Sequence, residues 1–141
     1  MKLNCVNVGY GDAFLFQLDK VNILIDTGSG LESEYEGYEE RINIVKFLVK
    51  EKISHIDELI LTHIHEDHVG NLDSIIKSFS ISRVWIPKDF EKVKKEVMKD
   101  IVSVSFRSLI LFNPPPIKPL FYHILFYHFR ENSKNLYISL P

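Results

Sequence analysis

The chain has 141 residues, of which 45% are hydrophobic and 26% charged, a balance that suits one globular domain with a buried core. The formal net charge of -2 excludes a bulk positive field that would attract nucleic acid. The single cysteine, Cys5, excludes an intrachain disulfide, and its apolar surroundings favour a small buried side chain. There is no basic-then-apolar leader and no apolar run of roughly 18 residues, so we expect a soluble, cytoplasmic protein without a membrane span.

The first half of the chain predicts short strands followed by one helix. Strands are predicted over residues 3–8, 13–18 and 21–25. An acidic loop with five glutamates between positions 32 and 40 follows, and we interpret it as solvated. Helical spacing of apolar residues from Ile42 to Val49 ends among lysines, which suit the carboxyl end of a helix. We interpret 53–57 as a connector and 58–61 as a strand.

The second half alternates strands and helices. Helices are predicted over 69–79 and 90–102, with strands over 83–86, 104–106, 109–112, 120–129 and 136–140. The prolines at 114–116 fit neither kind of element. Strands first, then alternating strands and helices, predict an α/β (α+β) domain with helices packed on a sheet. No long linker divides the chain, so we expect a single domain over 1–141.

The segment from Thr62 to His68, THIHEDH, has the residue types and spacing of a metal site. His63 and His65 are two apart, so in extended backbone their side chains point the same way and can meet one ion. Asp67 and His68 follow where the chain turns into a helix, and they can present a carboxylate and an imidazole to a second ion. We therefore predict His63, His65, Asp67 and His68 as metal ligands.

These ligand types suit zinc, and with added carboxylate or water also manganese or iron. Two ions about 3.5–4 Å apart stabilise the attacking and leaving oxygens of a displacement, and water beside one ion ionises at about pH 7. Asp67 could orient that water or accept its proton, so we predict it as catalytic. The helical zinc motif needs histidines four apart, whereas His65 and His68 are three apart. We interpret Glu66 as a solvent-facing spacer.

The pattern His63-Ile64-His65-Glu66-Asp67-His68 resembles the H-x-H-x-D-H signature of the metallo-β-lactamase-fold superfamily. The resemblance implies an αβ/βα sandwich, of which this chain would form the N-terminal half, with a mixed sheet and helices on one face. Asp26-Thr27-Gly28 resembles the family's earlier aspartate, which supports the site without being a usual ligand. The resemblance thus implies that Asp26 orients the histidine loop by hydrogen bonds. A simple turn aspartate is the alternative.

The segment from Val8 to Ala13, VGYGDA, resembles the V-G-Q-G-D-A opening of the ComEC-like branch, which is related to competence DNA-uptake channels. The segment from Leu61 to Leu72 resembles that branch's LTHPHxDHxGGL, with Ile64 and Asn71 as departures. Residues 112–116 and 132–140 resemble its later segments more loosely. The family's following TGD and HHGS turns have no counterpart in these 141 residues, so we expect a truncated domain.

Two functional hypotheses remain open, with a third on assembly. The resemblance implies a metal-dependent hydrolase that uses a two-metal-activated water on a phosphodiester or other ester, with DNA a substrate by resemblance alone. The alternative is a truncated, non-catalytic remnant that binds metal weakly or not at all. Self-association through the aromatic run 121–129 is the third hypothesis, because a strand lacking its partner exposes an edge. His123 and His128 in that run are interpreted as strand residues, not ligands.

Overall fold

The computed structural model describes residues 2–62, 64–87, 108–112 and 137–139. The predicted helix over 90–102, the predicted strands over 104–106 and 120–129, and the two late histidines, His123 and His128, lie outside the described residues.

The described elements comprise seven strands, three α-helices and one 3-10 turn. The strands are β1 (Lys2–Cys5), β2 (Phe14–Leu18), β3 (Val21–Ile25), β4 (His55–Ile60), β5 (Ser80–Pro87), β6 (Ser108–Phe112) and β7 (Tyr137–Ser139). The helices are α1 (Ile44–Lys50), α2 (Glu66–Val69) and α3 (Leu72–Ser78), and the 3-10 turn is Glu32–Glu34.

The strands form one mixed sheet in the order β6-β5-β4-β3-β2-β1-β7. The first three strands are antiparallel neighbours, because short turns join them, and β7 is antiparallel to β1. From β3 to β6 the pairing is parallel. Parallel pairing requires crossover connections, and these hold α1 between β3 and β4 and α2 and α3 between β4 and β5. The predicted α/β class and mixed sheet are confirmed.

The crossovers place the helices and the site. Successive parallel strands are added in one direction, so right-handed crossovers put α1 and α3 on the same face, where they contact each other. The carboxyl ends of β3 and β4 consequently open at the same edge of the sheet. Asp26 directly follows β3, and the histidine loop directly follows β4. Two segments far apart in sequence thus meet at one edge.

Several predicted boundaries differ from the structure: the strand predicted over 3–8 ends at Cys5, and the one predicted over 83–86 begins at Ser80. Two further differences are informative. The helix predicted over 69–79 is two helices, α2 and α3, and α2 begins at Glu66 inside the predicted loop. The break at Gly70 places the chain so close to its neighbour that an added Cβ would lie 2.2 Å from the backbone nitrogen of Gly30. The connector predicted at 53–57 is largely strand, because β4 begins at His55.

The hydrophobic core lies between the sheet and the helices. Fully buried members come from both layers and include Leu15, Leu24, Ile44, Leu48, Ile56, Leu59, Ile75, Val84 and Ile86. Cys5 is buried as expected, and burial, with a smaller effect of the Asp12 charge, raises the pKa of its thiol to about 11. No helix in the described part of the chain is long and apolar enough to cross a membrane.

Candidate metal centre

Asp26 lies at the first turn after β3 and bonds the start of the histidine loop. Its side chain is buried, and its backbone has φ 55°, a left-handed conformation that aspartate adopts more readily than most residues. The Oδ1 atom accepts a hydrogen bond from the backbone nitrogen of Thr62 at 2.8 Å, and Oδ2 accepts one from Thr62 Oγ1 at 2.5 Å. The Asp26 nitrogen donates to the Ile60 carbonyl at 2.9 Å. One carboxylate thereby fixes the point where the loop leaves β4.

The same carboxylate holds the imidazole of His68. His68 lies in α2, its side chain is buried, and its Nδ1 is 2.9 Å from Asp26 Oδ2. An ionised carboxylate only accepts hydrogen bonds, so Nδ1 carries the proton in this contact. The other ring nitrogen, Nε2, lies 3.5 Å from Asp67 Oδ2. The ring therefore presents Nε2 toward Asp67, as a ligand backed by a carboxylate would.

Three carboxylates lie around the His68 ring and raise its pKa. Burial would lower the pKa of His68, but the hydrogen bond and charge of Asp26, with the charges of Asp12 and Asp67, raise it overall. Asp12 Oδ2 lies 3.9 Å from His68 Nδ1. Burial raises the pKa of Asp12, the His68 charge opposes that rise, and the charges of Asp26 and Asp67 add to it. The pocket is thus rich in negative charge that one imidazole only partly balances.

Asn71 ties three segments together behind this cluster. Its side chain is buried, and Nδ2 donates to the carbonyls of Thr27 at 2.9 Å and Ser29 at 2.6 Å. Its Oδ1 accepts from Asn43 Nδ2 at 2.7 Å, and Asn43 caps the N-terminus of α1. Thr27 also donates through its nitrogen and Oγ1 to the His68 carbonyl, at 2.6 and 3.0 Å. Asn71, which departs from the pattern of the ComEC-like branch, therefore links the loop after Asp26 to the N-terminus of α1.

Glu66 is exposed, as the interpretation of it as solvent-facing expects, and it also bonds the loop after Asp26. Its Oε1 accepts from the Gly30 nitrogen at 3.0 Å, and its Oε2 accepts from Ser29 Oγ at 3.1 Å. The interpretation of Glu66 as a solvent-facing spacer missed this link. The loop over residues 27–30 is consequently bonded to α2 at both its ends.

The structure brings Asp26, Asp67 and His68 together, and it places His65 at the exposed N-cap of α2. His63 lies outside the described residues. Among residues 2–62 and 64–87, no group of three or more His, Cys, Asp or Glu side chains is arranged as a metal site. The ligand set His63, His65, Asp67 and His68 therefore stays a prediction.

Sequence reasoning gave no role to Asp12, which lies beside His68. The signal was the glycine before it. Gly11 has φ 97°, and a Cβ added there would lie 1.7 Å from the carbonyl oxygen of Asp67. Only glycine lets the loop between β1 and β2 approach α2 this closely. That approach brings Asp12 to the ring.

Residues 6–130 match the family model of the metallo-beta-lactamase superfamily, and the chain belongs to that superfamily. Its members generally bind metal ions, often zinc. The chain is 28% identical to ComE operon protein 3 of Bacillus subtilis (strain 168) over 142 aligned positions, which cover 88% of this chain and 18% of that protein. This similarity confirms the resemblance to the ComEC-like branch.

A second curated relative and two solved structures are also similar to this chain. The chain is 34% identical to Beta-lactamase-like protein 2 homolog of Caenorhabditis elegans over 64 positions, which cover 45% of this chain and 20% of that protein. It thus spans about a fifth of the length of these curated relatives. A diphosphatase from the PhnP family has a TM-score of 0.45 and 21% identity, covering 74% of this chain and 37% of its own. The metallo-beta-lactamase fold protein YhfI from Bacillus subtilis has a TM-score of 0.46 and 20% identity, and the match covers 80% of this chain and 46% of YhfI.

Replacing Asn71 with alanine is expected to lower the free energy of unfolding by about 2–3 kcal/mol, because buried carbonyl groups lose their donor. Urea denaturation measures this change. Lys77→Ala is the control on α3, since its exposed pair with Asp73 is worth less than about 0.5 kcal/mol. Equal losses in the two variants would contradict the bonding role of Asn71.

The metal-free protein is expected to lose stability as pH rises through the neutral range. The folded-state pKa of His68 lies above its ordinary value of 6.5, so its stabilisation is complete below that pH and is lost as pH rises through the raised pKa. Asp12 changes stability in the same direction. Its pKa is raised above the ordinary value of 3.8, so its contribution to stability is lost as pH rises from 3.8 through the raised pKa. Urea denaturation of chelator-treated protein from pH 6 to 9 measures the trend.

The contribution of His68 to that trend is isolated by His68→Gln. The variant is expected to show a shallower loss of stability over the same range, because the titrating ring is gone. A wild-type protein that gains stability more steeply than His68→Gln as pH rises would show that the pKa of His68 is lowered, not raised, by folding.

Proposed function

We propose that this chain provides the histidine loop of a metal-dependent hydrolase that acts on a phosphodiester or other ester. His63, His65, Asp67 and His68 would bind the metal. The observation that best supports this proposal is the buried hydrogen bond between Asp26 and His68 Nδ1, which leaves Nε2 facing Asp67. A carboxylate behind an imidazole is the usual support of a metal-ligating histidine.

The described donors fit a divalent ion in their chemistry. His68 Nε2 and Asp67 Oδ2 are 3.5 Å apart, a nitrogen and an oxygen of the kinds that bind zinc, manganese or iron. Asp12 and Asp26 add negative charge beside them, which a cation would balance. A bound ion of this type lowers the pKa of nearby water and polarises an ester oxygen.

Asp67 and Asp26 would have different roles in hydrolysis. Asp67 would accept a proton from the attacking water while the water oxygen forms a bond to phosphorus. The phosphorus–oxygen bond to the leaving alcohol then breaks, and the leaving oxygen takes the proton that Asp67 accepted, which would return Asp67 to its carboxylate form. Asp26 is a positioning residue, because it touches Thr62 and His68 and holds the ring in one tautomer.

Asp67→Ala is expected to reduce turnover of bis-p-nitrophenyl phosphate at least about 100-fold, because a proton acceptor and a metal ligand are removed together. The assay uses metal-loaded protein, with single-stranded DNA as a second substrate. Asp73→Ala is the matched control, since Asp73 is an exposed aspartate on α3. Turnover that persists unchanged in Asp67→Ala would eliminate the mechanism.

Metal content separates this proposal from the non-catalytic remnant. Elemental analysis of protein purified without added metal is expected to give one to two equivalents of zinc, manganese or iron per chain. Asp67→Ala is expected to contain less metal than wild-type protein. Protein that binds no metal, even when metal is supplied, would favour the remnant.

A further inference from the structure

A second cluster of serine, histidine and aspartate side chains lies at the opposite end of β4 from the histidine loop. His55 and Asp57 lie in the first half of β4, and Ser80 and Ser82 lie at the start of the neighbouring strand β5. The two strands are parallel, with His55 opposite Ser80. A strand rises about 3.3 Å per residue, so the histidine loop beyond Ile60 begins about 16 Å from His55. The cluster is therefore separate from the candidate metal centre.

The side chains of this cluster point away from the helices. Ile56 and Ile81, which follow His55 and Ser80 and are paired with each other, are buried in the core between the sheet and the helices. Successive side chains of a strand point to opposite faces, so His55 and Ser80 project from the other face. Ser80 is exposed there, and the side chain of His55 is 43% exposed. A small molecule in solution can therefore reach the imidazole.

Hydrogen bonds determine which nitrogen of His55 carries the proton. Ser80 Oγ donates to the Ser54 carbonyl at 3.2 Å, and this bond uses the only proton of the hydroxyl. His55 Nδ1 lies 2.7 Å from the same Oγ, so Nδ1 carries a proton and donates it there. The other ring nitrogen, Nε2, then accepts a hydrogen bond from Ser82 Oγ, which lies 3.0 Å away. The hydroxyl of Ser82 is thus bonded to a base.

Asp57 places a negative charge beside the same ring nitrogen. Its Oδ1 lies 3.6 Å from His55 Nε2, and its Oδ2 accepts a hydrogen bond from the Asn22 nitrogen at 2.8 Å. Asn22 Nδ2 also donates to the His55 carbonyl at 3.1 Å, so β3 holds both residues in place. A carboxylate near the ring stabilises the imidazolium that forms when the base takes a proton. A hydroxyl, a base and a stabilising charge therefore lie side by side, as in a site with an activated nucleophile.

The charges around Ser82 favour an uncharged substrate. The guanidinium of Arg83, the residue after Ser82, is paired with the carboxylate of Glu58, so its positive charge is already balanced. The carboxylate of Asp57 would repel a phosphate or sulfate ester that approached the Ser82 hydroxyl. A neutral carboxylic ester avoids this repulsion.

We propose that Ser82 is a nucleophile, activated by His55, that accepts an acyl group from a small neutral carboxylic ester. Ser82 Oγ forms a bond to the ester carbonyl carbon while its proton passes to His55 Nε2. The carbon–oxygen bond to the alcohol then breaks, and the alcohol leaves with that proton. Water next attacks the acyl group and gives a proton to His55, which passes it to Ser82 Oγ as the carboxylic acid is released. These steps use only the side chains of this cluster, so the inference does not rest on the proposed function.

The test locates the acyl group after reaction with p-nitrophenyl acetate. Chelator-treated protein is used, so that the metal centre does not contribute, and acid-quenched samples are mapped by peptide mass spectrometry. Wild-type protein is expected to carry the acetyl group on Ser82. His55→Gln, which lacks the base, is expected to slow this labelling about 100-fold, and Asp57→Asn is expected to slow it less. Ser74→Ala removes an exposed serine on α3 and is the control that should leave labelling of Ser82 unchanged.

Three results would overturn the inference. They are wild-type protein without an acetyl group on Ser82, an acetyl group found on His55 alone, and a rate of Ser82 labelling that is unchanged in His55→Gln. Urea denaturation checks that each variant is folded. The position of the acetyl group in wild-type protein decides the matter even where a variant does not fold.

Discussion

The buried carboxylate of Asp26 is the constraint on which the rest of this site depends. It accepts hydrogen bonds from the Thr62 nitrogen, Thr62 Oγ1 and His68 Nδ1, so a charge that would be costly to bury is fully partnered. Each partner belongs to the histidine loop or to α2. The left-handed backbone at Asp26 turns its side chain from the end of β3 toward them. This one residue therefore links the start of the loop to the ring of His68.

The sheet topology brings Asp26 and the histidine loop together, and hydrogen bonds from neighbouring loops stabilise their contact. Parallel pairing of β3 and β4 brings their carboxyl ends to one edge. Asn71 then bonds the loop after Asp26 to the N-cap of α1, and Glu66 bonds the same loop to α2. Gly11, which has no side chain, allows the turn between β1 and β2 to contact the backbone of Asp67. The described part of the centre is thus built by contacts between segments that are distant in sequence.

Local patterns predicted part of this structure. Strand β3 was predicted at its observed bounds, and the α/β class with helices packed on a sheet followed from the order of elements, whereas the mixed sheet was implied by the family resemblance. The closeness of Asp26 to the histidine loop was expected from family resemblance, because no local pattern reveals a contact across 36 residues. The roles of Asn71 and Glu66 could not be predicted, since each depends on three-dimensional proximity, and Asp12 had only an indirect sequence signal in the glycine before it. The break between α2 and α3 was missed because Leu72, Ile75, Ile76 and Phe79 keep helical spacing on either interpretation.

The position of the proton on the His68 ring reports on the hydrogen bond between His68 Nδ1 and Asp26. A long-range proton–nitrogen correlation spectrum of the metal-free protein, in mildly alkaline solution, distinguishes the two neutral tautomers. We expect His68 to carry its proton on Nδ1, bonded to Asp26, with no proton on Nε2, and we expect Asp26→Asn to abolish this preference. A His68 ring protonated on Nε2 with a bare Nδ1, unchanged in Asp26→Asn, would contradict this expectation.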